Sequence, residues 1–440
     1  MSTIAGYEIG EVIGEDFKTI TYRARRLDQS PVAIKQLREE YPSLQDIARL
    51  EHEYAITQAL DSTGILRTYN LEKYQNALVL VQEDFSGVPL RQAIDSGPIE
   101  LGACLEIAIQ LADALEAIHQ QNIIHKDIHP HSILINLQTR QVKLTNFGLA
   151  AQISYESQSI RNPHRLEGQL AYISPEQTGR MNRMVDYRTD FYSLGITLYE
   201  MLTGTVPFTV TDPLELIHCH IARQPAPPDL VKPTIPTMLS ALVLKLLSKT
   251  PEERYSSAYG ISADLKQCLA AWTNEQQIAD FVPGQHDVPF RFQISQKLYG
   301  RDADIDALLS AFDALGQGRA VLTLVYGYSG VGKSTLVNEI HKPVIQKNGR
   351  FIAGKFDQFK RNLPYSAFIQ ALREAVKQIL TEPEAQIAYW KAQFLDAFGS
   401  IGPVIVDVIP EMELLIGKQP PAPPLGPSPQ PYLYPHVLVR

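Results

Sequence analysis

Apolar positions along this chain fall in two periods, and the changes between them mark its elements. Val32-Ala33-Ile34 and Leu78 to Val81 are short continuous apolar runs, the pattern of buried strands. Between them Ile56 and Leu60 lie four apart on a helical stretch that also carries Glu53. Farther on, Ala320 to Tyr326 predicts another buried strand, followed by Leu336, Val337 and Ile340 at helical spacing. A helix is predicted through Leu308 to Leu315, a second strand at Phe351 to Lys355, and a helix near Phe368 to Leu380. The stretch Phe281 to Pro289 is rich in Pro, Gly and polar residues and predicts a linker. From Pro420 to Pro435 eight of sixteen residues are proline, a composition that builds no packed core.

The strand–turn–helix around residue 330 carries the first chemistry. Gly327-Tyr328-Ser329-Gly330-Val331-Gly332-Lys333-Ser334 fits G-x-x-x-x-G-K-[ST], a phosphate-cradling P-loop. Gly327, Gly330 and Gly332 let backbone N–H groups wrap a phosphate where a helix begins and its dipole favours negative charge. Lys333 is expected to reach the β- and γ-phosphates, and the Ser334 hydroxyl to ligate Mg²⁺. His218-Cys219-His220 offers ligand-type side chains, but neighbours on a helix point apart, and the segment reads as an ordinary helix.

Composition changes the picture only by exclusion. A chain of 440 residues leaves room for two or three domains. Its net charge of −8 offers no electrostatic case for nucleic acid or an anionic membrane as partner. Cys104, Cys219 and Cys268 are too few and too far apart for a disulfide framework. Neither a signal peptide nor an apolar run of about 18 residues is evident, so a cytoplasmic protein without membrane insertion is expected.

From Tyr7 to Trp272 a series of signals stands in fixed order. Val32-Ala33-Ile34-Lys35 ends a strand in lysine, Glu53 follows on a helix, and Gln82-Glu83-Asp84 follows the second strand. Then come His125-Lys126-Asp127, Asn146-Phe147-Gly148, Ser174-Pro175-Glu176, Asp190 through Gly195, and Arg254. Taken together these resemble the eukaryotic-like serine/threonine protein kinases. The segment Ala171 to Asp190, with Gln177-Thr178-Gly179-Arg180-Met181-Asn182-Arg183, narrows the resemblance to large bacterial sensor kinases. In these a kinase domain precedes an AAA/STAND-type ATPase, with GAF and histidine kinase parts usually following. The resemblance runs to about Pro424, including Gly354 to Phe359 and Val404 to Gln419.

What the resemblance implies is specific. Lys35 would hold the α- and β-phosphates of ATP, Glu53 would orient Lys35, and Asp127 would accept the hydroxyl proton of a protein substrate. Gly14 belongs to the glycine-rich loop, and Glu83 to the hinge that receives adenine. Arg254 would pair with Glu176, and the Asp190 helix would brace the catalytic loop.

The chain also departs from the pattern at the metal step. Asn146 replaces the D-F-G aspartate and brings no charge for Mg²⁺. Ser132 replaces the catalytic-loop asparagine, so both are expected as poor Mg²⁺ ligands. His129 stands where a lysine is usual, and Gly168-Gln169 where Gly-Thr is usual. Asp16 and Thr19 occupy two glycine positions, and an acidic Asp16 over the phosphates is expected to repel them.

The expected architecture is multidomain, a bilobal α+β protein-kinase-like fold followed by a partial α/β P-loop NTPase domain. The boundaries are 7–272 for the kinase-like domain, 273–298 for the linker, 299–419 for the ATPase part and 420–440 for the Pro-rich tail. Tyr299-Gly300-Arg301-Asp302 resembles the entry of STAND ATPases, with Asp304 near their usual glutamate. Val404-Ile405-Val406-Asp407 has the outline of a metal-binding strand, but the resemblance gives it another role. The later strands therefore look missing, as in a truncated member. The function expected is that of an ATP- and Mg²⁺-using serine/threonine kinase acting on protein hydroxyls. The alternative is a pseudokinase, a regulatory module coupled to a P-loop nucleotide switch.

Overall fold

The computed structural model describes residues 4, 6–16, 18–74, 77–152, 168–179, 185–288, 300–315, 320–328, 331–340, 343–344, 349–356, 365–380 and 384–419. Arg180 to Arg183, Gly330, the 357–359 part of the Gly354 to Phe359 match and the 420–440 tail lie outside them. The chain divides into two compact units, one of residues 1–160, 167–306 and 324–338, the other of the remainder.

The first unit begins with a five-stranded antiparallel sheet in the order β1-β2-β3-β5-β4. Its strands are β1 (Tyr7–Glu15), β2 (Thr19–Arg26), β3 (Pro31–Leu37), β4 (Thr68–Tyr74) and β5 (Ala77–Glu83). Strand period sorts β3 by face. Val32 and Ile34 pack with Ala24, Val79 and Val81 on one side. Lys35 and Leu37 lie on the other, where Leu37 meets Leu80 and Leu50 of α1 (Leu44–Gln58). Ser43 caps α1 by accepting from the Asp46 N–H at 3.2 Å. Glu53 and Leu50 share its buried face, three residues apart.

The helical lobe packs on α3 (Leu101–Gln120), α4 (Arg188–Thr203), α7 (Thr237–Leu246) and α8 (Ala258–Glu275), with α2 (Leu90–Asp95), α5 (Pro213–Ala222) and α6 (Pro228–Val231) around them. Every residue of α4 from Thr189 to Leu202 is buried, so no polar face turns to water. The His218-Cys219-His220 segment lies in α5, where buried His220 meets the Tyr192 hydroxyl at 3.0 Å. Burial pushes the His220 imidazole down to about 3, with Lys249 adding to the shift.

The stretch read as a linker is partly docked on this lobe. Residues up to Glu275 complete α8, and Ile278 and Phe281 pack against the core. Asp287 accepts from Ser256 N at 2.6 Å and from Ser257 Oγ at 2.8 Å, where α8 begins. Gly284 N donates to Asp264 at 2.7 Å, and Lys245 Nζ to the Pro283 carbonyl at 3.0 Å.

Of the later elements, α9 (Asp302–Leu315) and α10 (Lys333–Asn338) form as expected. The strand expected at Ala320 to Tyr326 does not. Those residues pair with no strand among the described residues, and Leu322 is 98% exposed. Phe351 to Lys355 is likewise outside any ladder. A strand forms only by pairing its backbone with a neighbouring strand, and apolar sequence alone does not supply one. In the second unit α11 (Ser366–Ile379), α12 (Glu384–Phe398), α13 (Gly402–Val408) and α14 (Met412–Ile416) close on Val376, Ile405, Ile409 and Met412. Asp407 is therefore on a helix.

Candidate active site

A cleft opens between the sheet and the helical lobe of the first unit. Ile13, Ala33, Leu66 and Leu134 give it apolar walls, while Gly14, Asp16, Lys35, Glu83, His131 and Asn146 line it with polar groups or backbone. Its mixed apolar and polar lining suits a small-molecule ligand.

Lys35 enters from β3 and is buried against Glu53 of α1. Its Nζ donates to Oε1 at 2.9 Å and Oε2 at 2.8 Å. A third bond goes to Asn146 Oδ1 at 2.6 Å. Asn146 holds a left-handed backbone (φ 66°), which an asparagine tolerates better than most residues.

The loop carrying Asp127 hangs on Asp190. The fully buried Asp190 carboxylate accepts from the backbone N–H groups of His125 at 2.9 Å and Lys126 at 2.8 Å, and meets His119 Nε2 at 2.8 Å. Gln177 Nε2 donates to the Lys126 carbonyl at 2.8 Å. Gln177 neighbours Glu176, whose carboxylate takes Arg254 in a two-bond clasp at 2.7 and 2.8 Å with both side chains wholly buried. Burial raises the Glu176 carboxyl, but the charge and hydrogen bonds of Arg254 outweigh it and hold the group below the usual carboxylate range.

Asp127 accepts from Gln169 N at 3.1 Å and lies 3.5 Å from His129 Nε2. Burial acts to raise its carboxyl. The hydrogen bond and charge of His129, helped by His125 and Gln169, prevail and lower it. It is therefore ionised at neutral pH and able to accept a proton. Gly168 passes so close, with φ +90°, that a methyl group there would sit 2.7 Å from Asp127 Oδ1.

The two candidate metal ligands, Asn146 and Ser132, are both engaged by protein groups. Ser132 is fully buried. Its hydroxyl lies 2.8 Å from the Asp127 carbonyl and 3.0 Å from that of His129, and accepts from His129 N at 3.0 Å. Asp16 lines the cleft, held in place by its own turn. It accepts from Lys18 N and Thr19 N, both at 2.7 Å, and from Thr19 Oγ1 at 2.8 Å, closing the β1–β2 turn. The Glu83 carboxylate pairs with Lys143 and accepts from Arg67 N at 3.3 Å.

A Mg²⁺ ion bound with a nucleotide wants hard oxygen donors, carboxylates above all. Here Asn146 is neutral and already bonded to Lys35, and the Ser132 oxygen is surrounded by backbone. The donor set of the cleft does not fit the ion.

At the P-loop, Lys333 Nζ donates to the carbonyls of Gly327 at 2.9 Å and Tyr328 at 2.6 Å. Gly327 (φ 157°) and Gly332 (φ 88°) take backbone conformations open mainly to glycine. Ser334 follows in the first turn of α10. The cleft-wall residue that pattern reading passed over is His131. Gln82 and Gly168 were visible in the sequence, but not that Gln82 lines the cleft or that Gly168 packs against Asp127.

Comparison with known proteins agrees with this geometry. The protein kinase domain family matches residues 7–269, and the AAA ATPase domain family matches residues 297–430. The chain is 33% identical over 406 residues to hybrid signal transduction histidine kinase G of Dictyostelium discoideum, covering 72% of this chain and 12% of that protein. It is 34% identical over 264 residues to a probable serine/threonine-protein kinase of Clostridium perfringens, 59% of this chain and 38% of the relative. Over 268 residues it is 34% identical to serine/threonine-protein kinase PknB of Mycobacterium tuberculosis, 59% of this chain and 42% of that one. The chain thus spans less than half the length of each of these relatives. With the model for the kinase domain matched across more than half of its residues, this chain belongs to the protein kinase domain family and carries an AAA-type ATPase domain after it.

Proposed function

We propose that the chain is an ATP-binding signalling protein of the serine/threonine kinase type, with the cleft between its lobes as nucleotide site. The observation that carries this reading is the buried Lys35–Glu53 pair at the cleft wall, with an ionised Asp127 on the loop below. In this reading Lys35 anchors the α- and β-phosphates, and the hinge beside Glu83 receives the base. Gly14 lies in the covering turn, and Asp127 takes the proton of a serine or threonine hydroxyl on a protein substrate. Chemistry that elsewhere in the family rests on Mg²⁺ finds no donor set here, so transfer is expected to be slow. Three free, buried cysteines suit a reducing cytoplasm, and among the described residues no helix is long and apolar enough to cross a membrane.

A second reading, a pseudokinase coupled to a nucleotide switch at Lys333 and Ser334, is favoured by the Lys35–Asn146 bond. The glycines Gly327, Gly330 and Gly332 would there cradle phosphate and Ser334 hold Mg²⁺. Titrating ATP into full-length Lys35→Ala and Lys333→Ala variants separates the two. The kinase reading expects Lys35→Ala to remove one class of sites while Lys333→Ala retains it. Unaltered ATP binding in Lys35→Ala would sink it, and unaltered binding in Lys333→Ala would sink the switch.

A further inference from the structure

The Lys35–Glu53–Asn146 cluster has a charge count that bears on the form of nucleotide the cleft takes. One ammonium faces one carboxylate and one amide oxygen, at 2.9, 2.8 and 2.6 Å, and the cluster is neutral as it stands. An aspartate at 146 would leave one surplus negative charge, which a divalent cation would cancel. The amide leaves none. The other oxygens nearby are engaged as well. Ser132 Oγ is enclosed by the Asp127 and His129 backbone, Asp127 faces Gln169 N and His129, and Asp16 accepts three bonds within its own turn. A cation entering here would have to break these bonds and would gain no carboxylate that lacks a partner.

Resting on the nucleotide-binding reading above, we infer that the cleft binds ATP without a divalent cation, and that Asn146 is the residue that sets this. Affinity then comes from the apolar walls of Ala33, Leu66 and Leu134 and from Lys35, whose third donor passes from Asn146 to a phosphate oxygen. Asn146 is in this account a specificity-determining residue rather than a metal ligand.

Calorimetric titration of ATP into the full chain carrying Lys333→Ala, once with EDTA and once with excess MgCl₂, tests the inference. The expected result is a dissociation constant that changes by less than about threefold between the two, and binding that disappears when Lys35→Ala is added. Adding Asn146→Asp instead is expected to make the same site Mg²⁺-dependent, tightening about tenfold or more when the ion is supplied. A tenfold tightening by Mg²⁺ with Asn146 in place would overturn the inference and leave the nucleotide-binding reading standing. No binding in either buffer would overturn both. The comparison between buffers needs no change at Asn146, so misfolding of the Asn146→Asp chain cannot mask the outcome.

Discussion

Replacing Arg254 by alanine probes how the site is held. The guanidinium makes two bonds to Glu176, donates to the Arg188 carbonyl at 2.9 Å and the Ser248 carbonyl at 2.9 Å, and stacks 4.9 Å over the Tyr192 ring. Alanine would leave the Glu176 carboxylate buried with only the Thr189 hydroxyl, 2.8 Å away, as side-chain partner. Breaking one half of a buried ion pair costs about 3–5 kcal/mol. With a urea slope of about 3 kcal/mol per molar, the unfolding midpoint falls by about 1–1.7 M. Trp272 of α8 reports this lobe by fluorescence once the other tryptophan, Trp390, is changed to phenylalanine. The double change Glu176→Leu/Arg254→Met removes both charges and should recover a large part of the loss. Because the folded Glu176 carboxyl is lowered, its contribution is complete above the unfolded carboxylate range and is lost as pH falls through the folded value. The gap between parent and Arg254→Ala therefore narrows in acid. A loss under about 1 kcal/mol at neutral pH, the scale of an exposed pair, would refute the reasoning.

Two further outcomes follow from local geometry. Gly168→Ala combines a left-handed backbone with a methyl group 2.7 Å from Asp127 Oδ1, so it should displace that carboxylate and depress phosphate transfer while ATP affinity stays close to the parent's; equal transfer rates would contradict it. Asp287→Ala removes the acceptor for Ser256 N and Ser257 Oγ, and should cost about 1–3 kcal/mol in the same Trp272 assay, with no change expected if residues 281–288 were a free linker.

Much of the site could be read from single residues because each carries its own chemistry. A lysine ending a strand and a glutamate on the inner face of the next helix are expected to meet, and Lys35 and Glu53 do. The Glu176–Arg254 clasp was legible only through the kinase resemblance, since the two residues lie 78 apart in sequence. What resisted reading was the direction in which polar groups turn. Asn146 looked like a poor metal ligand, yet its oxygen is engaged by Lys35, a contact 111 residues away in sequence. Asp16 was visible as an acidic residue, but its bonds to Lys18 and Thr19 were not. The apolar run before the P-loop shows the limit of periodicity, since it registers the tendency to be buried and not the presence of neighbouring strands.

Phosphate transfer tests the central claim most directly, that the cleft keeps its anchor and proton acceptor while its metal positions are altered. Labelled ATP is supplied to the full chain with a protein substrate, and incorporation is compared for the parent, the Asn146→Asp/Ser132→Asn double variant, and that variant with Asp127→Ala. The account predicts slow transfer in the parent that Mg²⁺ does not accelerate, a Mg²⁺-dependent gain in the double variant, and loss of that gain with Asp127→Ala. A parent chain that transfers phosphate with Mg²⁺ as fast as the double variant would contradict it.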